Sequence, residues 1–139
     1  MYKRILHATD LSENHFHMCQ KAIEIAKHFN AKLYLLHVIE PPASLQLAQG
    51  LGFAEFDKPG TEDAKTVMSV LGDALSIPLD QQFVEIGSIK VHVLEKVNEL
   101  NCDLIIIGRH TPSNVPEFLE STAHEIIHQA KCDVLTIRP

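Results

Sequence analysis

Apolar residues along this chain follow two alternating rhythms. Short, nearly unbroken runs occur at Ile5-Leu6-His7-Ala8-Thr9, at 32–39, at Gln82-Phe83-Val84-Glu85-Ile86, at 102–107 and at 132–137. Runs of that length without strict alternation suit strands covered on both faces. Between them, apolar positions recur at helical spacing. Phe16, Cys19, Ala22, Ile23, Ala26 and Phe29 predict a helix over 13–29 that stops at Asn30. Ala64, Val67, Met68, Leu71 and Leu75 predict a second helix. Thr61 is its expected cap, Glu62 and Asp63 favour its first turn, and Ile77-Pro78 closes it. Ile89, Val93, Val97 and Leu100 line a third helix. A fourth starts near Phe118 or Leu119, with Ile127 and Ala130 packed inward and His124 and His128 at its margin.

Strand and helix therefore alternate from end to end, the pattern of an open parallel α/β sheet with helices on both faces. At 139 residues, with no linker or low-complexity tract, the chain reads as one domain over 1–139. Pro41-Pro42 ends the second strand. Residues 43–60, with Gly50, Gly52, Pro59 and Gly60, read as a long surface excursion held by its own apolar groups.

Composition narrows the partners. The formal net charge is -6, which argues against a nucleic-acid or anionic-membrane surface. No apolar run approaches a membrane span, and Lys3-Arg4 leads straight into a strand rather than a signal sequence. Cys19, Cys102 and Cys132 form no close pair and read as reduced, mostly buried small apolar groups. A cytoplasmic location is the expectation.

Two stretches carry candidate chemistry. His124-Glu125-Ile126-Ile127-His128 matches H-E-x-x-H on an expected helix, and i, i+4 spacing puts both imidazoles on one face. A catalytic zinc also needs a third protein ligand and a cleft, so the expectation is no metal, with a zinc hydrolase a remote alternative. The other stretch is the loop after Gly108, where an α/β fold of this kind places its ligand.

Here the chain resembles the universal stress protein family. The resemblance rests on Tyr2-Lys3-Arg4-Ile5-Leu6 with Asp10-Leu11-Ser12, on Ala31-Lys32 with Leu36-His37-Val38, on Gly87, on 103–108, and on Cys132-Asp133-Val134-Leu135. It implies a five-stranded Rossmann-like sheet of the adenine-nucleotide alpha-hydrolase-like type, with strand order 3-2-1-4-5. It also implies a role in stress response. Nucleotide-binding members carry Gly, two residues, Gly, nine residues, Gly, then Ser or Thr. Gly108 and Thr122 fit that pattern, whereas Thr111 and Ser121 stand where glycines belong. Thr111 disfavours the positive φ that a phosphate loop uses, and Pro112 and Pro116 have no N–H to donate. Glu117 and Glu120 add negative charge, which Arg109 and His110 offset in part.

The similarity is thus to the universal stress protein A subfamily, whose members are taken as not binding ATP. It implies a dimeric binding or regulatory protein with a vestigial or weak nucleotide site of Asp10, Val38, Gly87, Gly108, Arg109, Ser121 and Thr122, no obligatory cofactor, weak ATP or AMP binding and no catalytic residue; the alternative is an ATP- or AMP-binding switch of the same family that hydrolyses its nucleotide slowly. The last strand, at an edge in this order and thin in guarding charge, implies a homodimer through 133–138 with an unnamed regulatory partner.

Overall fold

The computed structural model describes residues 1–11, 15–41, 59–108 and 117–138, with the side chains of 59–61 and 117–121 outside that description. Five parallel strands form one sheet: β1 (Arg4–Ala8), β2 (Lys32–Ile39), β3 (Gln82–Ile86), β4 (Leu104–Gly108) and β5 (Asp133–Ile137). Their order is β3-β2-β1-β4-β5, as the resemblance implies. Among the described residues four helices connect them: α1 (His15–Phe29), α2 (Pro59–Leu75), α3 (Ile89–Leu100) and α4 (Glu117–Gln129). A 3-10 turn, Leu79–Gln81, precedes β3.

Side-chain alternation along the strands divides the core in two. Ile5, Leu33, Leu35, Leu104 and Ile106 pack with Cys19, Ala22 and Ala26 of α1 and Met68 and Leu71 of α2. Leu6, Tyr34, Leu36, Val38, Ile105 and Ile107 pack with Val93 and Val97 of α3 and Ile126 of α4. The central strands are thus covered on both sides, which is why their sequences read as unbroken apolar runs.

Helix ends are set by local stereochemistry. Asn30, Ser76 and Asn101 adopt left-handed φ of 55°, 59° and 55°. After each, the next residue's N–H returns to a carbonyl five back: Ala31 to Ala26 (2.8 Å), Ile77 to Gly72 (2.8 Å) and Cys102 to Val97 (2.9 Å). This is the Schellman closure, repeated before three strands. Ser88 caps α3, its Oγ accepting from the Val91 N–H. The Asp103 carboxylate accepts from the Lys3 and Arg4 N–H groups, tying the start of β1 to β4.

Several expectations are corrected. α2 begins at Pro59, two residues before the expected Thr61 cap, with proline in the first turn where its missing N–H costs nothing. Val67 lies 40% exposed because the stripe of Ala64, Met68, Leu71 and Leu75 faces the sheet instead, and Phe16 is likewise exposed on α1. On α4 it is Ile126, not Ile127, that enters the core: Ile126 is 2% exposed and Ile127 47%. Ala123, Ile126 and Ala130 form the inward stripe. The expected excursion at 43–60 falls almost wholly outside the described residues, as do Ser12 and the 109–116 loop.

Candidate functional site

A cleft of about 130 Å³ opens at the carboxyl ends of β1, β2 and β4. It lies beside the switch point, between β1 and β4, where chain connections run off in opposite directions and leave a crevice. One wall is Leu36 and Val38 of β2 with Ile89 and Val93 of α3; the other is Ile107 and Gly108 of β4 with Thr122, Ala123 and Ile126 of α4. His7, Met18 and His37 complete it from the α1 side, and Thr9 and Asp10 form its rim.

The rim is held by a small network. The Thr9 N–H donates to the Leu36 carbonyl (2.9 Å), continuing the β1–β2 ladder by one residue. His37 Nδ1–H donates to the Thr9 carbonyl at 2.8 Å. Thr9 Oγ1 accepts from the Leu11 N–H at 3.2 Å. Leu11 has φ 55°, an uncommon conformation for a residue with a β-carbon, and this bond helps to hold it. Asp10, between these anchors, is exposed with its carboxylate at the mouth.

His7 is the most constrained polar group here. It is 1% exposed, and its Nδ1 lies 3.0 Å from the Ile106 carbonyl. A carbonyl only accepts, so Nδ1 carries the proton and the neutral ring leaves Nε2 as an acceptor. Nε2 is buried without a partner among the described residues. Burial holds the imidazole below its ordinary range, with the Ile106 bond and the Asp10 charge opposing. In the core, burial pushes the Cys19 thiol up to about 12, and the Cys102 thiol likewise to about 12, so neither is a ready nucleophile.

Of the residues expected at the site, Asp10, Val38, Gly108 and Thr122 meet at this cleft. Gly108 sits under the Met18 thioether, and a β-carbon there would strike the Met18 methyl. Gly87 lies one strand farther out, closing β3. Its N–H donates to the Ile39 carbonyl (2.9 Å), and its φ of 148° fits glycine. Arg109 and the Ser121 side chain fall outside the described residues. His7, Met18 and His37 were not foreseen as cleft residues, because nothing in a doubly covered strand or in the helix packed on it marks which position opens onto a crevice.

The H-E-x-x-H stretch lies on α4 with His124, Glu125 and His128 all exposed. Glu125 pairs with Lys90 at 3.4 Å. Among the described residues, no group of three or more histidine, cysteine, aspartate or glutamate side chains could hold a metal. No third ligand for a catalytic zinc is therefore found there. No described helix is long and apolar enough to cross a membrane.

Comparison with known proteins agrees with this geometry. The solved structure of hypothetical protein MJ0577, a structure-based assignment of biochemical function, superposes with a TM-score of 0.72 at 26% identity, covering 100% of this chain and 97% of that one. A universal stress protein solved in complex with cAMP superposes with a TM-score of 0.70 at 19% identity, covering 99% and 97%. Universal stress protein A homolog 2 of Coxiella burnetii is 35% identical over 139 residues, covering 99% of this chain and 95% of that protein. The sequence profile of the universal stress protein family matches residues 1–138. With the sheet order, the switch-point cleft and these matches in agreement, the chain belongs to the universal stress protein family.

Proposed function

We propose that this chain is a cytoplasmic stress-response binding protein of the universal stress protein A type. It acts by association rather than by a reaction of its own, and its cleft holds a nucleoside or nucleoside monophosphate weakly and ATP not tightly. One observation carries this reading: among the described residues that line the cleft, none is lysine or arginine, and the one charged side chain is the Asp10 carboxylate. A triphosphate brought to that mouth meets a like charge, worth on the order of 1 kcal/mol or more per close contact at an effective dielectric near 20. The largely apolar walls suit a base or sugar face instead. Thr111 and Ser121, where nucleotide-binding relatives carry glycine, point the same way. That a protein of this fold was solved with cAMP, which carries one phosphate, is compatible with the smaller ligand.

The same reading includes a homodimer through β5. That strand is an edge of the sheet, and Leu135 on it is 38% exposed. An apolar edge whose outer side pairs with no described strand favours a second strand. Pairing with its own copy about a two-fold axis closes the assembly.

Melting curves with adenosine, AMP, cAMP and magnesium-ATP test the ligand claim. A ligand at 100 times its Kd stabilises the native state by about 2.7 kcal/mol. The expected result is a small shift with adenosine or a monophosphate at millimolar concentration and none with ATP. A shift with micromolar ATP overturns the reading. Light scattering on a sizing column tests the dimer, and a monomer at micromolar concentration refutes it.

A further inference from the structure

We propose that His124 and His128 form a two-imidazole clamp for one borderline divalent cation, of the zinc, nickel or copper class, on the outer face of α4. The residues stand four apart on a helix, so their β-carbons lie on one stripe. Their rings already meet edge to face, centroids 4.3 Å apart with 67° between planes. Both side chains are exposed, so the core makes no use of them. The carboxylate next along, Glu125, is turned aside to Lys90 at 3.4 Å and does not compete for the imidazoles.

Two imidazoles so placed can take neighbouring positions around one ion, at about 2.0–2.1 Å each, after a small rotation of the rings. Water completes the coordination. Two neutral imidazole nitrogens favour zinc, nickel or copper over magnesium and calcium. No group of three or more metal-binding side chains exists among the described residues, so the clamp is a binding site and not a catalytic centre. Its position has a consequence. The same helix presents Thr122, Ala123 and Ile126 to the cleft, and an ion joining 124 to 128 staples the turn that carries them. The cation therefore stabilises the folded chain, since it binds a geometry that the unfolded chain lacks.

Calorimetric titration of the metal-free full chain with zinc chloride, together with melting curves, tests this in the parent and in H124Q, H128Q and the control H28Q. His28 is also exposed but lies on α1. The parent and H28Q are expected to take one more ion per chain than H124Q or H128Q, with affinity at that site at least tenfold lower in either clamp variant. Zinc raises the melting temperature of the parent and not of the clamp variants, and magnesium raises neither. Circular dichroism checks that these surface substitutions leave the fold intact. Equal zinc affinity in parent and H128Q overturns the proposal. So does an equal loss in H28Q, or no binding by the parent at about 100 µM free zinc.

Discussion

Replacing His7 by leucine should change how stability responds to acid far more than it changes stability itself. The folded imidazole is 1% exposed and held neutral, with Nδ1–H on the Ile106 carbonyl and Nε2 without a partner among the described residues. Protonation would place a second N–H, and a charge, where nothing described accepts it. Its folded pKa is therefore below the 6.5 of the unfolded chain, burial being the main cause. Above pH 6.5 both states are neutral at this ring, and His7 adds no pH dependence. As pH falls below 6.5 the unfolded chain takes the proton first, so stability is lost toward the folded pKa, at a slope of up to about 1.4 kcal/mol per pH unit. From pH 6.5 to pH 5 that is at most about 2 kcal/mol. At pH 8, H7L loses one hydrogen bond worth about 1 kcal/mol but also removes a buried, unsatisfied acceptor that costs about 1–3 kcal/mol. The variant should thus lie within about 1 kcal/mol of the parent at pH 8 and become the more stable of the two near pH 5. Urea melts at half-unit steps from pH 5 to 8 measure the difference directly, since the remaining eight histidines are common to both chains. A difference that stays constant over that range refutes the assignment of His7 as a buried neutral ring.

Three further outcomes follow from particular contacts. Gly87→Ala places a β-carbon at φ 148° against the His92 ring, and should cost about 1–3 kcal/mol by thermal melts, a loss that His92→Ala does not fully restore. Lys96 is buried between Glu85 and Glu99, at 2.6 and 3.2 Å, with its ammonium over the Phe83 ring. Lys96→Ala should therefore cost about 2–4 kcal/mol in urea melts, and Lys96→Met clearly less because the methionine refills the volume. Ile126→Ala should cost about 2–5 kcal/mol and widen the cleft at its α4 wall, whereas Ile127→Ala should stay within about 0.5 kcal/mol; equal losses in the two would contradict the inward stripe on α4.

The strands were legible because a sheet sandwiched between helices forces apolar residues onto both faces, and that constraint is written locally. β2 and β3 begin and end where their apolar runs do. Helix faces were less legible where two apolar residues stand side by side. Ile126 and Ile127 differ by 100° around the axis, and both satisfy a loose count of apolar spacing. Only the alignment of Ala123 and Ala130 with Ile126 against Val93 and Ile105 decides between them. Val67 was misplaced for the same reason: it lies three residues from Ala64 but beside the stripe that Ala64, Met68 and Leu71 define.

The site divides along a similar line. Asp10, Val38, Gly108 and Thr122 were named through the family resemblance, and the fold brings them to one cleft: Asp10 follows β1, Val38 lies near the end of β2, Gly108 ends β4 and Thr122 lies within α4. His7, Met18 and His37 were not, because their roles depend on atoms far away in sequence. The acceptor that sets the His7 tautomer is the carbonyl of Ile106, 99 residues on, and the group that shields Gly108 is a thioether from α1. A sequence pattern records which residues are apolar and how often they recur. It does not record which backbone carbonyl a buried imidazole reaches, and at His7 that one bond decides which ring nitrogen of the cleft's least accessible polar group carries the proton, while burial keeps the ring neutral.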